Sequence, residues 1–178
     1  MADATSTPPS EILLAVWRRQ RQIKGRLPDR QDIDPLDLGK QVLPRIAIVE
    51  LVPGGRLRFR LCGSELARFA GLDLTGCFVD ELNPNKDYAD YITDLYMLAR
   101  RTRLPVLSSC QFRGSHDLAQ GTTTRLICPL AYDGENVDHF FTVQSFGQTS
   151  GIPGTVTMTY AEGFQPGLTR VIEDGEAL

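Results

Sequence analysis

Two blocks of strand-like sequence flank a helical block, and this order limits the possible folds more than any other feature. Residues 45–52 are rich in β-branched and aliphatic side chains, residues 56–62 alternate apolar side chains with arginine, and a Pro-Gly-Gly turn separates the two stretches. Three more strands are predicted at 105–113, 122–132 and 137–147, with an Asp-Gly hairpin turn before the last one. Hairpins in both blocks indicate a single antiparallel sheet.

The helical block contains a short helix at 65–70, closed by Gly71, and a long helix at 87–101. Helical spacing gives the long helix an apolar stripe formed by Tyr88, Ile92, Leu95, Tyr96 and Ala99. We therefore expect an α+β fold in which this block lies on one face of the sheet.

An amphipathic helix is predicted before the first strand, with Ser10 as its cap and Gly25 at its end. The residues on its buried side are Leu13, Val16, Trp17 and Gln20. This side either covers the second face of the chain's own sheet or meets a second subunit, because both arrangements bury the same stripe. The second arrangement predicts a homodimer with these residues at its interface.

The composition limits the kinds of partner that we expect the protein to bind and the compartment in which we expect it to occur. A net charge of -3 gives no basic surplus, so nucleic acid is not an expected partner. No apolar run approaches the roughly 20 residues of a membrane-spanning helix, and the first ten residues lack the apolar core of a signal peptide. The cysteines are widely spaced and form no CxxC pair. These features predict a cytoplasmic protein without membrane insertion.

The chain divides into four predicted segments. Residues 1–9 are expected to be a disordered lead, and residues 10–44 an N-terminal helix with an extended connection. Residues 45–147 form the expected core, followed by a partly disordered C-terminal extension at 148–178. Within the extension, Val156, Met158 and Tyr160 alternate and suggest one more short strand.

The sequence contains no recognisable catalytic or metal-binding constellation. His116 and His139 are the only histidines, which leaves few candidates for acid–base catalysis. Gly-x-Ser-x-Gly, the phosphate-binding loop and Gly-x-Gly-x-x-Gly do not occur. We therefore expect a protein that binds something and is not an enzyme, with no catalytic residues and no metal ligands.

The order of elements resembles the PAS fold, and several short stretches strengthen the resemblance. They are Trp17, residues 27–30 (LPDR), 32–35 (DIDP), 57–63 (LRFRLCG), 73–76 (DLTG) and 105–106 (PV). Together they resemble one PAS family that is found mainly in α-proteobacteria and is largely uncharacterised. The resemblance covers about residues 10–147, although Cys77 follows the DLTG turn where the pattern leads us to expect arginine or lysine.

The resemblance implies a five-stranded sheet around a central cavity, and a role in sensing or regulation. The first interpretation is a stand-alone bacterial sensor in signal transduction that acts through a signalling protein partner. The alternative is a receptor with a small molecule between the long helix and the sheet. Haem is not expected, because the long helix has no histidine to serve as axial ligand. Flavin is not expected either, since Cys77 follows Gly76 directly and its context does not match the photoactive cysteine.

The predicted lining of such a pocket combines the long helix with polar and apolar strand residues. It consists of Tyr88, Tyr91, Ile92, Leu95, Tyr96, Ser108, Cys110, Thr124, Leu126 and Val143. The alternative for the same residues is a filled core whose hydroxyl groups are satisfied. Arg58 and Arg60, on one strand face, are expected either to pair with Glu50 across the hairpin or to contact an acidic ligand or partner.

Overall fold

The computed structural model describes residues 7–81, 86–113, 119–151 and 163–178. The helices are α1 (Pro9–Lys24), α2 (Pro35–Val42), α3 (Ser64–Ala70) and α4 (Lys86–Thr102). The strands are β1 (Ile46–Leu51), β2 (Leu57–Cys62), β3 (Val106–Arg113), β4 (Ala119–Leu130), β5 (His139–Gly151) and β6 (Gly163–Val171). Short 3₁₀ turns lie at Arg30–Asp32, Leu43–Arg45 and Val79–Glu81. The predicted helical block and both strand blocks are present.

The strands form one antiparallel sheet in the order β2-β1-β5-β4-β3-β6. The prediction of five strands is wrong, because the C-terminal extension contributes β6, which pairs with β3 at one edge. The alternating residues 156–160 that suggested a strand lie outside the described residues. Residues 163–171 were missed because their Gly and Pro content is unusual in a strand, and Pro is tolerated best at a sheet edge.

Helix α1 packs against the face of the sheet that we call the outer face. Trp17 is fully buried there, and its Nε1 donates a hydrogen bond of 2.8 Å to the backbone carbonyl of Pro129 on β4. The helix begins two residues before the predicted start, with Pro8 and not Ser10 as its N-cap. It ends as predicted at Gly25, whose φ of 64° is a left-handed conformation that favours glycine.

Helices α3 and α4 cover the opposite face, which we call the inner face. The Tyr96 ring meets the Phe140 ring edge-on at 5.1 Å between centroids, which joins the middle of α4 to β5. At the other end of α4, Tyr88 and Tyr91 contact Phe164 of β6, with centroids 5.3 and 5.5 Å apart. The sixth strand therefore helps to hold α4 on the sheet.

The residues after β6 fold back onto α1 and the sheet. Ile172 is buried, and Arg170 forms an ion pair with Glu176. Arg21 of α1 reaches Asp174 at 3.1 Å. Among the described residues, no helix has the length and apolar character needed to cross a membrane.

Candidate functional site

A cavity of about 70 Å3 lies between the inner face of the sheet and the helices α3 and α4. Its lining comes from every layer around it: Ala47, Phe59, Leu66, Ala70, Leu74, Val79, Tyr88, Ile92, Tyr96, Arg125, Thr142, Gln144 and Phe146. A single water needs roughly 10–15 Å3, so the cavity has room for about five to seven water-sized groups. This space fits a small organic ligand.

Of the described residues that line the cavity, Arg125 is the only formally charged one. Its side chain is 5% exposed, and its Nη2 donates a hydrogen bond of 3.3 Å to the hydroxyl of Tyr88. Within the described part of the chain, no carboxylate lies within 4.0 Å of its guanidinium group, and Tyr88 is its only hydrogen-bond partner. Arginine keeps its charge in proteins, so the cavity wall carries a buried and uncompensated positive charge.

Neighbouring polar side chains extend this part of the wall. Register pairing places Ser108 of β3 and Gln144 of β5 on either side of Arg125, and directly paired residues share a sheet face. The amide of Gln144 donates to the hydroxyl of Thr123 at 2.8 Å. The Ser108 hydroxyl is buried and has no hydrogen-bond partner in the part of the chain that the structure describes. The guanidinium group of Arg125 and the hydroxyl of Ser108 therefore both have hydrogen-bonding capacity that no described neighbour uses.

The remainder of the cavity wall is apolar. It is formed by the side chains of α3, β2 and the loop residues that follow α3, namely Phe59, Leu66, Ala70, Leu74 and Val79. Phe146, at the end of this region, stacks on Phe69 of α3 with ring centroids 4.1 Å apart. The cavity therefore combines a cation and a few polar groups with a larger apolar surface, a combination that orients ligands.

Burial keeps the other titratable groups near Arg125 neutral. Desolvation raises the pKa of the Tyr88 and Tyr96 hydroxyls and of the Cys110 thiol. None of these groups supplies a negative charge near neutral pH. The charge of Arg125 is therefore not balanced by an ionised tyrosine or cysteine.

A sequence profile of the PAS domain matches residues 5–144, well over half of the chain. The chain belongs to the PAS domain family. Membership indicates a role in sensing or regulation, as the order of elements had suggested. No curated protein matches the chain.

Three of the predicted pocket residues of this PAS domain line the cavity, namely Tyr88, Ile92 and Tyr96. Leu95 is buried in the core, and the Tyr91 hydroxyl donates to the Ser109 carbonyl at 3.4 Å, so neither lines the cavity. Ser108 and Cys110 lie on the correct face of the sheet, in register with Arg125 and Thr123, but outside the lining.

The predicted positions Thr124, Leu126 and Val143 lie on the outer face and do not line this cavity. Leu126 and Val143 are directly paired and buried on the face that α1 covers, and Thr124 is exposed. Alternation shows which residues share a face but not which face meets the helical block.

The residues that the sequence-based prediction missed are the neighbours of those three positions: Arg125, Thr142 and Gln144. The available signal was a single charge inside a strand that is otherwise uncharged, at residues 119–130. Arginine is almost never fully buried without a partner, so its side chain is ordinarily assigned to solvent.

The proposed interface residues of α1 contact the chain's own sheet. Leu13, Val16 and Trp17 are buried in this single chain, and Gln20 is half-buried. Of the two arrangements left open by the sequence, the structure adopts the one in which α1 covers the sheet. A homodimer that uses these side chains would require α1 to leave its own sheet.

The arginine face of β2 forms ion pairs within the chain. Arg58 and Arg60 both reach Glu50, as predicted, and the Arg60 Nε lies 3.5 Å from the carboxylate. His139 of β5 lies 3.9 Å from the same carboxylate. Glu50 thus links three strands, and the arginines are not free for an acidic ligand.

Proposed function

We propose that this PAS domain is a non-catalytic sensor whose signal is a small molecule bound in the inner cavity. One observation carries the proposal: Arg125 is buried in the cavity wall with a single neutral hydrogen-bond partner. Burying a charge without a partner costs roughly several kcal/mol of folding free energy, and an apolar side chain of similar size would avoid this cost. A ligand that supplies the interactions that Arg125 lacks would explain why an arginine occupies this position.

The receptor interpretation is favoured over a sensor that works through protein contacts alone. A purely structural core would be filled at this point, since protein interiors are close-packed and buried polar groups are normally satisfied. Here a cavity, an unpaired cation and an unpartnered Ser108 hydroxyl occur together. We propose that ligand binding is passed on to a signalling protein partner. The narrower resemblance to an α-proteobacterial family, the cytoplasmic location and the homodimer stay predictions.

The test is a screen by two-dimensional NMR with a mixed set of neutral, anionic and cationic fragments. We expect at least one fragment to shift the amide signals of Arg125, Thr142 and Gln144. The Ala70→Leu variant, which fills the cavity from α3, should lose that response. Ala67→Leu on the same helix is the matched control, because Ala67 does not line the cavity. Failure of every fragment to shift the cavity amides of the wild-type protein would refute the receptor function.

A further inference from the structure

We propose that the cavity ligand is a small monocarboxylate, held by its carboxylate at Arg125 and by an apolar body against Phe59, Leu66 and Leu74. This inference rests on the proposed function and specifies the chemical class of its ligand. The charge, the hydrogen-bonding capacity and the size of the cavity all point to this class of ligand.

The charge of the cavity calls for one negative charge. Arg125 is the only cation among the described residues of the lining, and burial keeps the nearby Tyr88, Tyr96 and Cys110 neutral. A cationic ligand would add a second uncompensated charge to a site that already has one. A phosphate monoester carries about -1.5 to -2 charges at neutral pH, more than one guanidinium balances. A carboxylate carries a single charge at pH 7.

The unused donors suit a planar anion. Guanidinium has five N–H donors in a fixed fork, and the hydrogen bond to Tyr88 uses one of them. A carboxylate accepts two parallel hydrogen bonds from such a fork, which is stronger and more directional than a neutral contact. Ser108, which pairs with Arg125 in the register but lies outside the lining, has a buried hydroxyl without a hydrogen-bond partner among the described residues.

Size and polarity define the rest of the molecule. The space of about 70 Å3 corresponds to about five to seven water-sized groups at roughly 10–15 Å3 each. Beyond Arg125, Thr142 and Gln144, most of the lining is aliphatic or aromatic. A short aliphatic acid, with its carboxylate at Arg125 and its chain between α3 and β2, matches both properties.

The first experiment compares ligands of one shape and different charge on the wild-type protein. Butyrate, butyramide and butylamine, with inorganic phosphate as a second anion, are titrated at pH 7 and constant ionic strength while amide shifts are recorded. We expect saturable shifts at Arg125 and Gln144 with butyrate, at least tenfold weaker binding of butyramide, and no saturation with butylamine or phosphate. Equal binding of butyrate and butyramide, or preferential binding of phosphate, would overturn the carboxylate assignment.

The second experiment changes the cation. Arg125→Leu should lose at least tenfold in butyrate affinity while its response to butyramide stays unchanged, and Arg125→Lys should fall between Arg125→Leu and the wild type because it keeps a charge but not the fork. Thr124→Val, one residue away on the opposite face, is the control and should bind butyrate normally. Unchanged butyrate affinity in both Arg125 variants contradicts the proposal.

The two proposals fail in different ways. If neutral fragments bind in the cavity and carboxylates do not, the receptor function stands and the ligand class is wrong. If no fragment of any charge shifts the cavity amides of the wild-type protein, both are wrong. The wild-type titrations decide between these outcomes even if an Arg125 variant does not fold.

Discussion

The hydroxyl of Tyr96 on α4 lies 3.1 Å from the hydroxyl of Thr142 on β5, and both groups are buried. This contact joins the long helix to the middle of the sheet at the wall of the cavity. Either hydroxyl can donate, so the pair satisfies two groups that would otherwise be desolvated without a partner. The relative position of α4 and β5, and with it the shape of the cavity, depends on this pair and on the ring contact between Tyr96 and Phe140.

The first prediction concerns the energetic coupling of that pair. Tyr96→Phe and Thr142→Val should each destabilise the fold by about 0.5–1.5 kcal/mol, because each leaves the partner hydroxyl buried without its hydrogen bond. The double variant should lose less than the sum, giving a coupling energy of at least about 0.5 kcal/mol in a double-mutant cycle measured by urea unfolding. Additive effects would show that the two hydroxyls do not interact.

The second prediction concerns Trp17. Trp17→Ala should lower the free energy of unfolding by about 3–5 kcal/mol, because it removes a large buried ring and leaves the Pro129 carbonyl without its donor. The loss should not depend on protein concentration, since the ring is buried within one chain. Denaturant unfolding at two concentrations measures both quantities.

Arg19→Ala is the control for Trp17, because Arg19 lies on the exposed side of α1 and its ion pair with Asp37 should contribute at most about 1 kcal/mol. A concentration-dependent loss in Trp17→Ala would instead indicate that the ring also stabilises a dimer.

The third prediction concerns Gly63, between β2 and α3. A Cβ atom at this position would clash with the Pro44 carbonyl oxygen and would lie 2.7 Å from that of Leu43. Because both contacts are with backbone, Gly63→Ala should cost about 1–3 kcal/mol through overpacking. Its φ of -66° is accessible to alanine, so the cost arises from the close approach. Ser64→Ala, at the adjacent exposed position, is the control. Thermal unfolding should show a larger loss of stability for Gly63→Ala than for Ser64→Ala.

The fourth prediction concerns pH. The Asp133 carboxylate accepts hydrogen bonds from the Asn136 side chain and from the backbone N–H groups of Asn136 and Glu135, and these lower its pKa to about 2. A folded-state pKa below the ordinary value of about 3.9 means that the carboxylate stabilises the fold above that value. This contribution should decline as the pH falls from about 4 towards 2.

Urea midpoints of the wild type and of Asp133→Asn, measured from pH 6 to pH 2, test this contribution. The difference between them should be largest at pH 6 and should shrink towards zero near pH 2. Glu135→Gln removes a charge from the same turn and serves as the control. A difference that stays constant over this range would mean that Asp133 does not titrate with a lowered pKa.

Local patterns predicted most of the regular elements of this protein. The alternation at 56–62, the Pro-Gly-Gly turn and the helical stripe from Tyr88 to Ala99 each depend on neighbouring residues only, so their signal is present in a short window of sequence. The long helix, predicted at 87–101, spans Lys86–Thr102. The Asp133–Gly134 turn was less well predicted, because β4 ends at Leu130 and β5 begins only at His139.

The composition of the cavity could not be predicted in the same way. Helices cover both sheet faces, α1 on one and α3 and α4 on the other, and the buried inner face carries the polar residues Arg125, Thr142 and Gln144. The usual rule that polar strand residues face solvent therefore assigns these side chains to the wrong environment. Whether Thr124 or Arg125 faces the cavity, and whether Val143 or Thr142 does, depends on the register of β4 with β5 and on the location of the helices.

The sequence alone determined the order of strands and helices, the apolar stripes that must be buried and the absence of a basic surplus, because these properties depend on residue type and spacing. Only the tertiary structure decided that α1 covers its own sheet, that β6 completes the sheet beside β3, and that Arg125 faces inward. Each of these outcomes depends on contacts between residues far apart in the chain, where the free energy of packing and desolvation exceeds any local preference.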